Sequence, residues 1–192
     1  IDARQERQVA LPSPPLPDKP SIAVLPFENM SGDKEQEYFA DGMTEDIITE
    51  LSRFENLFVI ARNTSFTYKN QRIDVKEVTR ELGVHFVLEG SVRKSGERVR
   101  ITAQLINGRD GGHVWAERYD GALKNLFDLQ DQVSSQVVGS IFPQIAEAEL
   151  ERVGRGERKF DDAHELAWLA QETERSAFRL GDGPMLDRAI AM

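Results

Sequence analysis

The chain contains no cysteine. Disulfides and thiolate metal sites are therefore excluded, while the redox compartment stays open. No apolar run approaches the roughly 20 residues that a membrane-crossing helix needs, and no charged-then-apolar leader opens the sequence. Positive charge is in deficit: 24 Lys and Arg face 33 Asp and Glu, for a formal net charge of −9 and an isoelectric point near 4.9. Phosphate-backbone binding needs clustered Lys and Arg, so nucleic acid is not an expected partner. The phosphate loop Gly-x-x-x-x-Gly-Lys-Ser/Thr, the nucleophile elbow Gly-x-Ser-x-Gly and the calcium loop Asp-x-Asp-x-Asp-Gly are all missing. Gly154-x-Gly156 is followed by charged residues and sits in no strand-to-helix turn. His85, His113 and His164 form no metal-binding pair and read as strand or surface residues. The expectation is no catalytic residue, no metal and no cofactor.

What is present suits a soluble globular protein. Of 192 residues, 40% are apolar and 30% charged. A folded part of about 130 residues buries roughly two-thirds of its unfolded surface and needs no staples. Residues 1–20 hold Pro12, Pro14, Pro15, Pro17 and Pro20 and read as an extended linker. Met192 falls inside a helical pattern, so the chain is expected to be a piece of a longer protein.

Between the linker and residue 153 the periodicities specify a mixed α/β (α+β) domain, 21–153. Its core is a five-stranded mixed sheet of βαβαβ-ββ order with flanking helices. Ser21–Phe27 is a nearly continuous apolar run, as in a strand covered on both faces. Phe39, Met43, Ile47, Leu51 and Phe54 form one stripe of a helix over about Glu35–Phe54, which Gly42 is expected to break or to delay until Thr44. Leu57–Ala61 is the second strand, and Asn63–Arg72 a polar loop. A short helix, Val75–Leu82, has Asp74 and Glu77 spaced for a capping box and Gly83 as its stop. Strands over about Val84–Lys94, Arg98–Ile106 and His113–Tyr119 alternate apolar and polar residues and are joined by Ser95-Gly96 and Asn107–Gly112 turns. A long helix, about Leu126–Glu151, carries the stripe Leu129, Val133, Val137, Ile141, Ile145 and Ala148. Pro143 is expected to kink or divide it. After a polar break, residues 160–192 read as the truncated start of a helical hairpin.

Two surfaces are candidates for binding. Arg62, Asn63, Thr64, Ser65 and Tyr68 follow a parallel strand at its carboxyl end, where open α/β sheets place ligand crevices. Arg62 and the hydroxyls suit an anion or a peptide carboxylate; a structural loop whose aromatics cap the core is the other reading. Trp115 shares a strand face with His113, Glu117 and Tyr119, which suits either a partner patch or packing under the long helix. The acidic residues Asp33, Glu35, Glu37, Asp41, Glu45 and Asp46 read as a solvated face near a helix N-terminus.

Several phrases, including Ser21-Ile-Ala-Val-Leu-Pro-Phe-Glu-Asn-Met-Ser-Gly-Asp33, Tyr38-Phe-Ala-Asp-Gly42, Val87-Leu-Glu-Gly-Ser91 and Trp115-Ala-Glu-Arg-Tyr-Asp120, resemble a bacterial module over roughly residues 16–145. This is the TolB-amino-terminal-like region, and the tail resembles the start of a tetratricopeptide repeat. Such modules occur in class III adenylate/guanylate cyclase-type proteins. The resemblance implies a noncatalytic sensory or protein-interaction region of a bacterial signalling protein, whose parent makes cyclic AMP from ATP. A cyclase's metal-binding aspartates match no position here. Alternatives are an envelope scaffold, the sensory region of a CadC-type winged-helix regulator, or a nucleotide-binding domain. The implied partner is a protein or small ligand, with a homodimer left open and no membrane contact by the chain itself. The implied location is periplasmic beside an inner-membrane parent, otherwise cytoplasmic.

Overall fold

The computed structural model describes residues 19–122, 126–156 and Ala167. The expected helical hairpin over 160–192 and nearly all of the proline-rich linker lie outside the described residues. Strand β1, Ser21–Val24, is buried along its whole length, because it lies inside the sheet with layers on both sides. It pairs in parallel with β3 (Phe58–Val59) and with β4 (Phe86–Ser95). Strands β4, β5 (Arg98–Asn107) and β6 (His113–Ala122) continue the sheet as an antiparallel meander. The order is β3-β1-β4-β5-β6, giving a mixed α/β fold.

The described sheet has six strands rather than five. The additional strand β2, Glu28–Asn29, runs parallel beside Ser91 and Val92 of β4. The expected Ser21–Phe27 strand is therefore split, with Pro26 between β1 and β2 where it owes the ladder no donor. Phe27 instead gives its amide to Thr44 Oγ1 at 3.0 Å and lays its ring over Gly90.

Helix α1, Glu35–Leu51, runs unbroken through Gly42. A mid-helix glycine costs about 1 kcal/mol relative to alanine. Burial of Phe39, Met43 and Ile47 around it outweighs that at about 2 kcal/mol each. Helix α4, Leu126–Gly154, likewise continues through Pro143 and is not divided. Ile141, Phe142, Ile145 and Ala146 are buried on both sides of the proline. Their packing offsets the roughly 3 kcal/mol of a lost hydrogen bond and a ring clash. The two helices pack in parallel: Met43 meets Ser134, Glu50 meets Ser135, and the Phe54 and Phe142 rings stack with centroids 4.1 Å apart.

Helices α1 and α4 cover one face of the sheet. Ile22, Phe86, Leu88, Ile101 and Leu105 point into that main core, with Trp115 and Tyr119 packed at its edge. The opposite face has a smaller core of Ala23, Ile60, Val78, Val84 and Val87 beneath α3, Val75–Leu82. That helix has the expected bounds. Asp74 caps it by accepting from Lys76 N at 2.9 Å, while Glu77 pairs with Arg80 instead of completing a capping box. Gly83 closes it in the left-handed conformation at φ 62°.

Candidate functional site

The segment expected to be a loop after β3 is helical. Arg62–Ser65 makes one turn, α2, and Phe66–Tyr68 tightens into a 3-10 turn. Ala61, extended at ψ 143°, starts it, and Thr64 N and Ser65 N both donate to Ala61 O. The apolar Phe66 and the run of small hydroxyl residues permit this compact turn once Ser65 is buried.

The side chains of this segment have separate surroundings. Arg62 pairs with Glu45 of α1 at 3.0 Å, and its guanidinium lies 4.1 Å above the Phe66 ring. Asn63 and Thr64 are exposed, and Ser65 is fully buried with no hydrogen-bond partner for its Oγ among the described residues. Trp115 lies on β6, facing the helix layer. Of the six residues singled out from sequence, Tyr68 alone lines the described cleft.

That cleft has a volume of about 590 Å³. It opens at the carboxyl end of β1, between the Leu25–Met30 connection, the segment Tyr68–Ile73 and the exposed sides of Glu89, Ser91 and Gln104. Lys69 anchors its wall, with Nζ 2.6 Å from Glu37 and 2.7 Å from Asp41. Burial alone would lower the Lys69 pKa, but the hydrogen bonds to Asp41 and Glu37 outweigh it and hold the ammonium above its ordinary value. The Lys69 hydrogen bond in turn keeps the Glu37 carboxyl below its ordinary value, against the opposing effect of burial. Tyr68 Oη donates to Glu81 of α3 at 2.8 Å. Burial first, then this bond and the Glu81 charge, push the phenol up to about 12. Asn70 turns the chain in the left-handed region at φ 62°, which asparagine tolerates better than most residues. Glu89 is half-buried, and its carboxyl is raised by desolvation, with the His113 charge pulling the other way.

Lys69, Asn70, Gln71, Arg72, Glu89 and Gln104 were not singled out from sequence. Two signals were there: a left-handed-tolerant Asn before Gln71-Arg72, and a lone carboxylate ending the apolar run of β4. The lining offers amides, the Tyr68 and Ser91 hydroxyls, the Lys69 and Arg72 cations and the carboxyls of Glu28, Glu37 and Glu89, which suits a polar ligand. Elsewhere, Ser21 Oγ lies 2.7 Å from His85 Nδ1 and accepts from His85 N. Ser21 is fully buried, so this pair ties β1 to β4 and presents no nucleophile. Among the described residues, no group of three or more His, Asp or Glu is disposed to hold a metal ion. No described helix is long and apolar enough to cross a membrane.

Comparison with known proteins adds three findings. The profile of a family described as HilA/YgeH-like transcriptional regulator, second domain, matches residues 18–136. A Rhizobium meliloti (strain 1021) protein named "Putative adenylate cyclase 3" is 57% identical over 151 residues, covering 78% of this chain and 26% of the relative. The chain thus spans about a quarter of that relative's length. Among solved structures, TolB from Acinetobacter baumannii matches at a TM-score of 0.47 and 16% identity, covering 66% of this chain and 28% of that one. The LpoB C-terminal domain from Escherichia coli matches at 0.44 and 15%, covering 54% and 83%.

Proposed function

The chain belongs to the HilA/YgeH-like transcriptional regulator second-domain family, and from that premise we propose that it is a noncatalytic sensing and interaction region of a bacterial adenylate cyclase. The TolB-amino-terminal-like domain over 21–153, the helical repeat from 160 and the six sequence-derived site residues belong to the same proposal. The cyclase assignment draws on the name of the 57% identical relative.

One observation carries the sensing role: the cleft wall is ion-paired to α1 through Lys69. A ligand seated against Tyr68–Ile73 touches the same segment that holds Glu37 and Asp41. Helix α1 in turn packs against α4 through Ser134 and Ser135, with the Phe54–Phe142 stack just beyond its end. Ligand binding therefore has a mechanical route from cleft to helix layer. Regulation follows if the ligand prefers one of two arrangements of that layer.

The test is cyclic AMP production by the complete protein, beside ATP turnover by the chain alone. The chain alone is expected to convert no ATP. Lys69→Met is expected to shift the complete protein's activity several-fold with the fold intact. ATP turnover by the chain, or unchanged activity of the Lys69→Met protein, overturns the reading. The family description favours a second reading, the sensory region of a transcription regulator. A complete protein that binds DNA and makes no cyclic AMP would establish it.

A further inference from the structure

The two faces of the sheet are not covered equally. Helices α1 and α4 lie over one face across its width, whereas α3 covers the other only near β3, β1 and the start of β4. Among the described residues nothing covers the remaining face of β4, β5 and β6, and its composition is unusual for a chain of net charge −9. Reading across the ladder, Arg93 stands opposite Arg100, which stands opposite Asp120. The neighbouring rows are Ser91, Thr102, Arg118 and Ser95, Arg98, Ala122. Four exposed guanidiniums therefore share this end of the face with two carboxylates, Asp120 and the Glu28 that pairs with Ser91. Glu89 lies one row farther along, toward the cleft.

Arg100 grips Asp120 as a fork, Nε to Oδ1 at 2.8 Å and Nη2 to Oδ2 at 3.3 Å. The Arg100 hydrogen bond is the main reason the Asp120 carboxyl is held below its ordinary value, and the charges of Arg100, Arg118 and Arg98 add to it. Arg98, Arg100 and Arg118 are thus gathered around a carboxylate already satisfied by one of them, with Arg93 one strand beyond Arg100. Like charges directly opposite in a sheet cost stability, and Arg93, opposite Arg100, contacts Met30 Sδ at 3.7 Å but hydrogen-bonds to no carboxylate among the described residues. Every cation here is arginine, whose planar fork matches carboxylates better than the lysine ammonium does. The residues between them are Ser, Thr and Ala, which let another backbone come close.

We infer that this open arginine-bearing sheet face docks an acidic segment of a partner protein, as a surface separate from the cleft and independent of the sensing role. A duplex is a poorer match. Affinity for a duplex grows with the number of phosphates neutralised, whereas only four guanidiniums stand here, one of them held by Asp120, and the chain as a whole carries a net charge of −9. Three strands span about 10 Å across the ladder, the width of one extended peptide.

The test uses a short fluorescein-labelled alternating Glu–Ser peptide, read by anisotropy against the whole chain. Arg98→Glu with Arg118→Glu is expected to weaken binding about tenfold or more, and Arg98→Gln with Arg118→Gln by a smaller factor in the same direction. The control Arg53→Glu with Arg80→Glu changes net charge equally, on α3 and at the end of α1, and is expected to leave binding within about twofold. Absence of binding, an equal loss in the control, or tighter binding of a labelled DNA duplex overturns the proposal. So does self-association of the unmodified chain that Arg98→Glu with Arg118→Glu dissolves, because the face would then belong to a second copy.

Discussion

Lys69 Nζ stands 2.7 Å from Asp41 Oδ2 across the boundary between the cleft wall and helix α1. With Glu37 at 2.6 Å on the same ammonium, it is a two-carboxylate clasp between segments far apart in the chain. Both carboxylates are partly shielded, so their pairing is worth more than that of a fully exposed ion pair and less than that of a buried one.

Lys69→Met leaves two neighbouring carboxylates without their shared cation. Urea unfolding is expected to show a loss of about 1–2 kcal/mol, with faster proteolysis in residues 66–73. The pH dependence has a defined sign. The folded Glu37 carboxyl lies below its ordinary value of 4.5, so its contribution is whole above that value and lost as pH falls through the folded value. The Lys69→Met protein is expected to show a shallower loss of stability on acidification.

Glu89 behaves in the opposite sense. Its carboxyl is raised from 4.5, chiefly by desolvation, so the folded state binds the proton more tightly than the unfolded one. The cost of its charge is absent below 4.5 and grows as pH rises through the folded value. Glu89→Gln is expected to raise stability at pH 7 by a few tenths of a kcal/mol, since solvent still reaches the group, and the gain should vanish below about pH 4. A gain that is constant with pH would mean that charge is not its source.

At Gly90 the space for a side chain is already taken. An added Cβ would stand 2.3 Å from Phe27 Cε1 and 2.5 Å from its Cζ. Gly90→Ala is expected to cost about 1–3 kcal/mol by thermal or urea unfolding. Combining it with Phe27→Leu should recover part of that loss, as a double-mutant cycle would reveal.

Gly139, four residues before Pro143 on α4, is the reverse case. A Cβ there meets nothing within 4 Å. Gly139→Ala is expected to stabilise the protein by about 0.5–1 kcal/mol through helix propensity and a stiffer unfolded chain. An unchanged or lowered melting temperature would show that the helix needs glycine beside its proline.

The sequence was most legible where both partners of an interaction lie within a few residues. Asp74 and Gly83 bracket α3 because capping is a local hydrogen-bonding problem. The alternation of β4 and β5 reads directly because a half-exposed strand sorts its own residues by face. Gly42 and Pro143 misled for the same reason: each carries a local penalty, and local reading cannot see the core that outweighs it. The 62–68 segment looked like a loop because its helical turns are too short to carry a periodicity.

The cleft lay beyond that reach. It joins residues near 28, 70, 90 and 104, and the carboxylates that anchor its wall sit on helix α1, far in sequence from the lysine between them. Hydrophobic periodicity and capping along the chain determined which segments are helix and strand and which sides of them are apolar, since those preferences act over one or two turns or a pleat. Tertiary packing alone decided that Tyr68 faces a cavity while Ser65 is buried, that Lys69 closes on α1, and that arginines from three strands form one surface. Those outcomes depend on distances between groups that the linear order leaves unspecified.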